Sequence, residues 1–346
     1  MYNKNPIIKK TTIPFKELKS LRVPYAGNCA PDHEKLNVKG NCNCDCDCRC
    51  NCDCYETEDC ACDCEQSFCD CNCVCDCGGW VREGVLLIPE GTKTIFPGTY
   101  KGSGKIREVI LPAGLEVIKE NAFDGCKNLR KIEFPEGLLK IESVAFLSCG
   151  LVEAVLPDSL TVLENAFVEC KSLKRVHIGK SLKELSPRAF CGCGIEAFEV
   201  DEENPYFKAV DGVLLSKDGK TLYAYPSGKN EKEYTVPDGV RTIEEYAFSY
   251  TRGLTTVILP DGLEYIRSYA FYEVNITEMS FPKSLSYLGD YSLFYAKRLK
   301  RIDFRGKKSE YHVRTDSSWV FPYHAYAYYG NDRTMIYTED DCSWSV

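Results

Sequence analysis

Leu129-Arg-Lys-Ile132-Glu-Phe134-Pro135-Glu-Gly137-Leu138-Leu-Lys-Ile141-Glu-Ser-Val-Ala145-Phe146-Leu-Ser-Cys149 is one copy of a unit that recurs along most of this chain. Its opening, Leu-x-x-Ile-x-Phe-Pro, puts Ile132 and Phe134 two residues apart with charged residues around them, the period of a short strand with one buried face. Proline then ends the strand, because it cannot donate to a ladder. Further copies run over 106–112, 151–157, 173–179, 195–200, 254–260, 276–282 and 299–305, and shorter ones over 85–89 and 234–237. The leading apolar residues Ile106, Leu129, Leu151, Leu173 and Ile195 are spaced by 22 or 23 residues. A fixed period in that range is the signature of a solenoid.

Each copy carries a second apolar group further on, as in Leu115, Ile118 and Ala122-Phe123, then Leu138, Ile141 and Ala145-Phe146. Ala-Phe recurs at 166–167, 189–190, 247–248 and 270–271, where it supplies a knob on the wall opposite the strand. A single copy cannot bury both groups, so the copies must stack. The expected fold is a β-rich solenoid, a leucine-rich repeat stack of about ten short parallel strands. Asp211-Gly212 and Asp218-Gly219, between β-rich runs, are tight-turn signals that place an inserted β-hairpin near 201–230.

The unit Leu129-x-x-Ile132-x-Phe134-Pro135-x-Gly137-Leu138-x-x-Ile141-x-x-x-Ala145-Phe146 resembles the BspA-like leucine-rich repeat family, bacterial proteins usually found at the cell surface. The likeness spans about residues 84–340, includes the insertion from Val200 to Pro226, and extends to a closing cap around Ile302–Lys308 and Ile336–Asp341. It implies a scaffold for protein–protein or adhesion-type binding, not an enzyme. No apolar run follows the basic start Met1-Tyr-Asn-Lys-Asn-Pro-Ile-Ile-Lys-Lys, so the residues favour a cytoplasmic location while the resemblance suggests the cell surface.

The N-terminal quarter follows different rules. Fifteen of the 22 cysteines fall in three blocks: Cys42, Cys44, Cys46, Cys48, Cys50, Cys52, Cys54; then Cys60, Cys62, Cys64; then Cys69, Cys71, Cys73, Cys75, Cys77. Ten acidic residues against Arg49 give residues 42–77 a charge of −9, whereas residues 1–41 carry eight Lys or Arg against three acids, +5. The spacers are mainly Asp and Asn, so the segment has no core of its own and is expected to be a largely irregular arm. In an extended chain residues two apart lie about 6.6 Å from each other, at the upper limit for a disulfide. Thiolates gathered around Zn or Cu(I) meet no such limit. Metal–thiolate binding, a flexible low-complexity arm without metal, and a substrate for cysteine modification all fit this composition, which resembles metallothioneins only weakly. The resulting division is a basic tail over 1–41, the acidic Cys-rich segment over 42–79, a solenoid over 80–305 and an aromatic cap over 306–346.

Several other features lead away from catalysis. Gly102-Ser-Gly-Lys105 lacks the leading glycine and the Ser or Thr of a phosphate loop and sits in a repeat turn. His33, His177, His312 and His324 have no triad or zinc-helix spacing. Asn275-Ile-Thr277 fits a glycosylation sequon by pattern. A sequence pI near 5.3 argues against nucleic acid, and no stretch of about 18 apolar residues calls for membrane insertion. The expected partner is a protein on the exposed strand face, with Arg107, Arg130, Lys131, Lys174, Arg175 and His177 as candidate contacts in its basic first half. Cys126, Cys149, Cys170 and Cys193, each three residues after a phenylalanine knob, read as small buried side chains in one column. Tyr311, Trp319, Phe321, Tyr323, Tyr326, Tyr328 and Tyr329 read as a cap over the last repeat.

Overall fold

The fold was obtained as a computed structural model, which describes residues 80–305, 313–315, 326–329 and 332–335. The fifteen clustered cysteines lie outside the described residues, as do Tyr311, Trp319, Phe321 and Tyr323. Among the described residues there are strands and turns and no helix.

Each repeat contributes its Leu-x-x-Ile-x-Phe segment to a parallel ladder. Val85–Leu87, Glu108–Ile110 and Lys131–Glu133 pair in register, as do Glu153–Val155, Arg175–Ile178 and Ala197–Val200. The ladder resumes with Glu233–Thr235, Thr256–Ile258, Glu278–Phe281, Arg301–Phe304 and Tyr326–Tyr329. Antiparallel strands close both ends: Trp80–Arg82 on Val85–Leu87, and Asp332–Met335 on Tyr326–Tyr329. The expected stack of short parallel strands is therefore the observed one.

The structure adds a second ladder that the repeat pattern did not announce as strands. Two-residue strands Thr94–Ile95, Val117–Ile118, Lys140–Ile141, Val162–Leu163 and Glu184–Leu185 pair in parallel, and Thr242–Ile243, Tyr265–Ile266, Tyr287–Leu288 and Arg314–Thr315 do the same later. Two residues are too short to show an alternation, so in the sequence Ile118 and Ile141 read only as apolar spots. Ala-Phe forms the third wall. Phe123 N–H donates to the Ala145 carbonyl at 2.7 Å, Phe146 to Ala166 at 2.9 Å and Phe167 to Ala189 at 2.9 Å, so even this turn bonds to the next repeat.

Between these walls the phenylalanine rings stack. Tyr100, Phe123, Phe146 and Phe167 follow one another at centroid distances of 5.1, 5.2 and 5.2 Å, and Tyr225, Phe248 and Phe271 at 5.3 and 4.8 Å. The cysteine column lies beside them, buried and free. The thiols of Cys126, Cys149, Cys170 and Cys193 donate to the carbonyls of Tyr100, Phe123, Phe146 and Phe167 at 3.0–3.1 Å, one repeat back in each case. Burial raises the Cys193 thiol well above its ordinary range, and the Cys126 hydrogen bond, with burial, raises Cys149. Cys149 and Cys193 therefore stay protonated, while the Cys149 hydrogen bond lowers Cys126; buried and bonded to backbone, the column fills space in the core.

The insertion is larger than the expected hairpin. Phe207–Val210, Val213–Ser216 and Thr221–Ala224 form an antiparallel meander, and its third strand continues in parallel into Thr242–Ile243. Asp211 at φ 51° and Gly212 at φ 77° make the tight turn that the Asp-Gly pair announced. The middle strand is buried on both faces: Leu214 packs into the core of the preceding repeats, Val213 and Leu215 into that of the following ones. Asn204, fully buried, anchors the insertion. Its amide nitrogen donates to the carbonyls of Gly179 (2.8 Å) and Leu182 (3.2 Å), and its oxygen accepts from Tyr206 N–H (2.8 Å) and Phe207 N–H (2.9 Å).

Two stability outcomes follow. Phe146→Ala removes a fully buried ring from between two others and should cost about 3–5 kcal/mol in urea denaturation. A loss below about 1 kcal/mol would mean that the ring does not occupy the core as described. Asn204→Ala strands buried backbone groups and should cost at least about 2 kcal/mol, because each unpaired group keeps its desolvation penalty. A neutral result would show that water or the chain replaces the amide.

Candidate binding surfaces

The strand face is built from columns that the register fixes. Val85, Glu108 and Lys131 lie side by side, and further along so do Glu153, Arg175 and Ala197. A neighbouring column holds Leu87, Ile110 and Glu133, then Val155, His177 and Glu199. Most of the candidate contacts meet a carboxylate one repeat away. Lys131 Nζ lies 2.6 Å from Glu108, Arg175 Nε 3.5 Å from Glu153, Lys174 Nζ 3.2 Å from Glu196 and His177 Nδ1 3.7 Å from Glu199. The Glu108 hydrogen bond raises the Lys131 ammonium above its usual range.

Arg130 does something different. Its Nη1 donates to the carbonyls of Lys127 at 3.0 Å and Gly150 at 2.6 Å, tying two turns together. Arg107 is exposed just before its strand. The face therefore presents alternating, mutually paired charges with apolar residues set among them: Leu87 and Val155 are 47% and 53% exposed. Exposed pairs of this kind contribute about 0–1 kcal/mol each to stability, so their effect falls mainly on which surfaces can approach.

A second surface, at the turns of the later repeats, was not singled out from sequence. Tyr246, Tyr269 and Tyr291 each precede the Ala-Phe position or its Ser-Leu equivalent, and their rings stack at 4.9 and 5.0 Å with interplanar angles of 4° and 14°. Tyr250, Tyr272, Phe294 and Tyr295 form a tilted row beside them. Burial pushes the Tyr246 hydroxyl up to about 12 and raises Tyr269, so both remain protonated donors at neutral pH. The signal was available: Tyr246, Tyr269 and Tyr291 are separated by the repeat length.

Five of these tyrosines, all but Tyr272, occupy left-handed backbone. The turn has two left-handed positions in most repeats, filled earlier by Gly98, Gly102, Asn121, Gly125, Val144 and Ser148, and later by Tyr246, Tyr250, Tyr269, Tyr291 and Tyr295 at φ 54–61°. A left-handed residue with a side chain costs about 1–2 kcal/mol relative to ordinary helical backbone, and glycine escapes most of it.

The description BspA type Leucine rich repeat region matches the chain in six copies over residues 93–209 and 222–315. The chain belongs to the BspA-type leucine-rich repeat family. The gap between the two matched stretches falls on the tight turn and second strand of the meander. No curated protein sequence matches the chain. Among solved structures, a leucine-rich repeat protein from Eubacterium ventriosum is 22% identical, covering 70% of this chain and 71% of that one, with a TM-score of 0.60. That likeness supports the shared fold. The pneumococcal vaccine antigen PcpA is 23% identical over 66% of this chain and 78% of its own, with a TM-score of 0.42. A leucine-rich repeat protein from Bacteroides ovatus is 21% identical over 71% and 55%, with a TM-score of 0.43. Among the described residues of this BspA-type protein, no helix is long and apolar enough to cross a membrane and no group of three metal-ligating side chains comes together.

The strain at the left-handed positions gives a direct check. Val144, a β-branched residue at φ 52°, has Asn121 as its counterpart in the preceding repeat. Val144→Asn should therefore raise stability by about 1 kcal/mol in urea denaturation. A loss of stability would show that the Val144 side chain contributes more by packing than its backbone costs.

Proposed function

We propose that this protein is a non-enzymatic scaffold that binds a protein partner on its strand face, in an adhesion-type role. The observation that carries the reading is the open parallel ladder, whose columns set paired charges around exposed apolar residues. Leu87 and Val155 supply dry contact area, while Lys131, Lys174, Arg175 and His177 with their carboxylates, and the exposed Arg107 beside them, select a partner of matching charge order. Membership in a repeat family of this kind supports the same role, because solenoids present extended faces for recognition.

The test is a binding screen of the immobilised protein against soluble and matrix proteins, followed by variants. Val155→Arg and Arg175→Glu should each weaken a captured partner at least tenfold, while Phe96→Glu, at a residue 51% exposed outside this ladder, should leave it unchanged. Equal affinity across all three variants would place the partner elsewhere.

The spacing of the fifteen clustered thiols favours a second reading, in which the arm stores soft metal ions or responds to redox change and the solenoid anchors it. Zn or Cu(I) would be held by shared thiolates. Protein purified without oxygen should then carry several metal equivalents per chain, released on acidification because protonation removes the ligands. Fewer than one equivalent would remove metal storage from the account.

A further inference from the structure

Two strand ladders and a set of turn bonds tie each repeat to the next, and all three are interrupted together at the insertion. The main ladder ends at Ala197–Val200 and starts again at Glu233–Thr235, while the second ends at Glu184–Leu185. The turns behave in the same way. Asn121, Phe123 and Gly125 N–H donate to Ser143, Ala145 and Leu147, and later Tyr246, Phe248 and Tyr250 donate to Ser268, Ala270 and Tyr272. Among the described residues, no such bond runs from Arg188, Phe190 or Gly192 to the turn over 223–227. The main ladder also pauses between Lys131–Glu133 and Glu153–Val155, but there the second ladder and the turn bonds run on.

Side-chain packing divides at the same place. Buried residues from Leu86 to Phe207, with Leu214, form one core, and Val213 with those from Leu215 to Phe304 forms another. Phe190 meets Phe198 edge-on, and a cavity opens among Phe190, Cys191, Phe198, Tyr225 and Ser249. The contacts that do cross are few. Gly228 N–H donates to the Ile195 carbonyl at 2.7 Å, the Ser227 hydroxyl to that of Cys193, and Cys191 Sγ lies 3.8 Å from Ser249 Oγ. Val213–Ser216, which serves both cores, pairs with Thr221–Ala224 in a register that shifts between Leu214 and Leu215.

Cooperativity in a solenoid passes from repeat to repeat through their interfaces, so one without ladder, turn bonds or stacked rings transmits little of it. We propose that the insertion divides the solenoid into two units, residues 80–210 and 221–305, that open independently, with the Val213–Ser216 strand as the joint. The later repeats can then open as a block while the earlier ones keep their core, a sub-global unfolding. The partner-face residues from Leu87 to His177 all precede the joint, so opening of the later unit leaves them in place. The division itself holds whether or not a partner binds there.

Pulsed hydrogen exchange with mass spectrometry, on the full chain across a urea series, reads the two units separately. Phe146→Ala should move the midpoint of peptides from 106–178 to lower urea by at least about 1 M, and leave peptides from 243–304 where the unsubstituted protein has them. Phe271→Ala should do the reverse. Should either variant lose protection throughout without urea, Ile141→Val and Ile266→Val, which each remove one buried methyl group, take its place. Shifts confined to the substituted unit bear the proposal out. A midpoint common to all peptides, moved equally by substitutions on either side of the joint, would overturn it.

Discussion

Nearly every described repeat of this solenoid leaves one flank of an aromatic ring bare, and the next repeat must cover it. That constraint governs the rest. Phe146 is sandwiched at 5.2 Å on both sides by Phe123 and Phe167, so its burial depends on copies whose key residues lie 21 to 23 positions away in the chain. The same period then fixes the two strand ladders, because backbone groups next to the ring must bond to the repeat that covers it. The cysteine column repeats the lesson. A small side chain fits beside the rings, and its thiol also binds a carbonyl one repeat back. Later repeats use Thr251, Val274 and Ala296 at the equivalent position, so the site requires a small buried group and not a reactive one.

The insertion shows how the constraint is met when the repeat is interrupted. Phe190 meets Phe198 edge-on at 5.3 Å in place of a stacked successor, and the ring column starts again at Tyr225. Between the two cores stands the Val213–Ser216 strand, which gives alternate side chains to each. Asn204 holds the approach to that strand with four hydrogen bonds, a set that needs a side-chain amide, with two donors and an oxygen that accepts twice.

Much of the fold was legible in the sequence, because burial on a fixed period writes itself into residue type. Ile132, Phe134 and Phe146 declare a strand and a knob, and Asp211-Gly212 declares its turn. The second ladder was not legible, since two-residue strands such as Lys140–Ile141 leave no alternation to read. Nor was the third strand of the insertion. The binding surfaces were less legible still. The repeat pattern marks Arg107, Arg130, Lys131, Lys174, Arg175 and His177 as exposed charge, yet register decides that Lys131 meets Glu108 and Arg175 meets Glu153, and side-chain reach decides that Arg130 ties turns together. The stacked tyrosines could have been found by carrying the period beyond the core positions to the residue before each Ala-Phe. A tyrosine at a repeat turn, taken alone, has the composition of ordinary surface.

The central claim is that ring stacking between repeats, together with the turn hydrogen bonds it protects, is the most persistent part of the fold. Residue-resolved native-state hydrogen exchange tests it most directly. The amides of Phe123, Phe146, Phe167, Phe248 and Phe271, each bonded to the next repeat, should exchange only through the largest unfolding events and rank among the slowest in the chain. Fast exchange at those amides, while amides of the strand ladders stay protected, would contradict the account and move the origin of stability to the sheets alone.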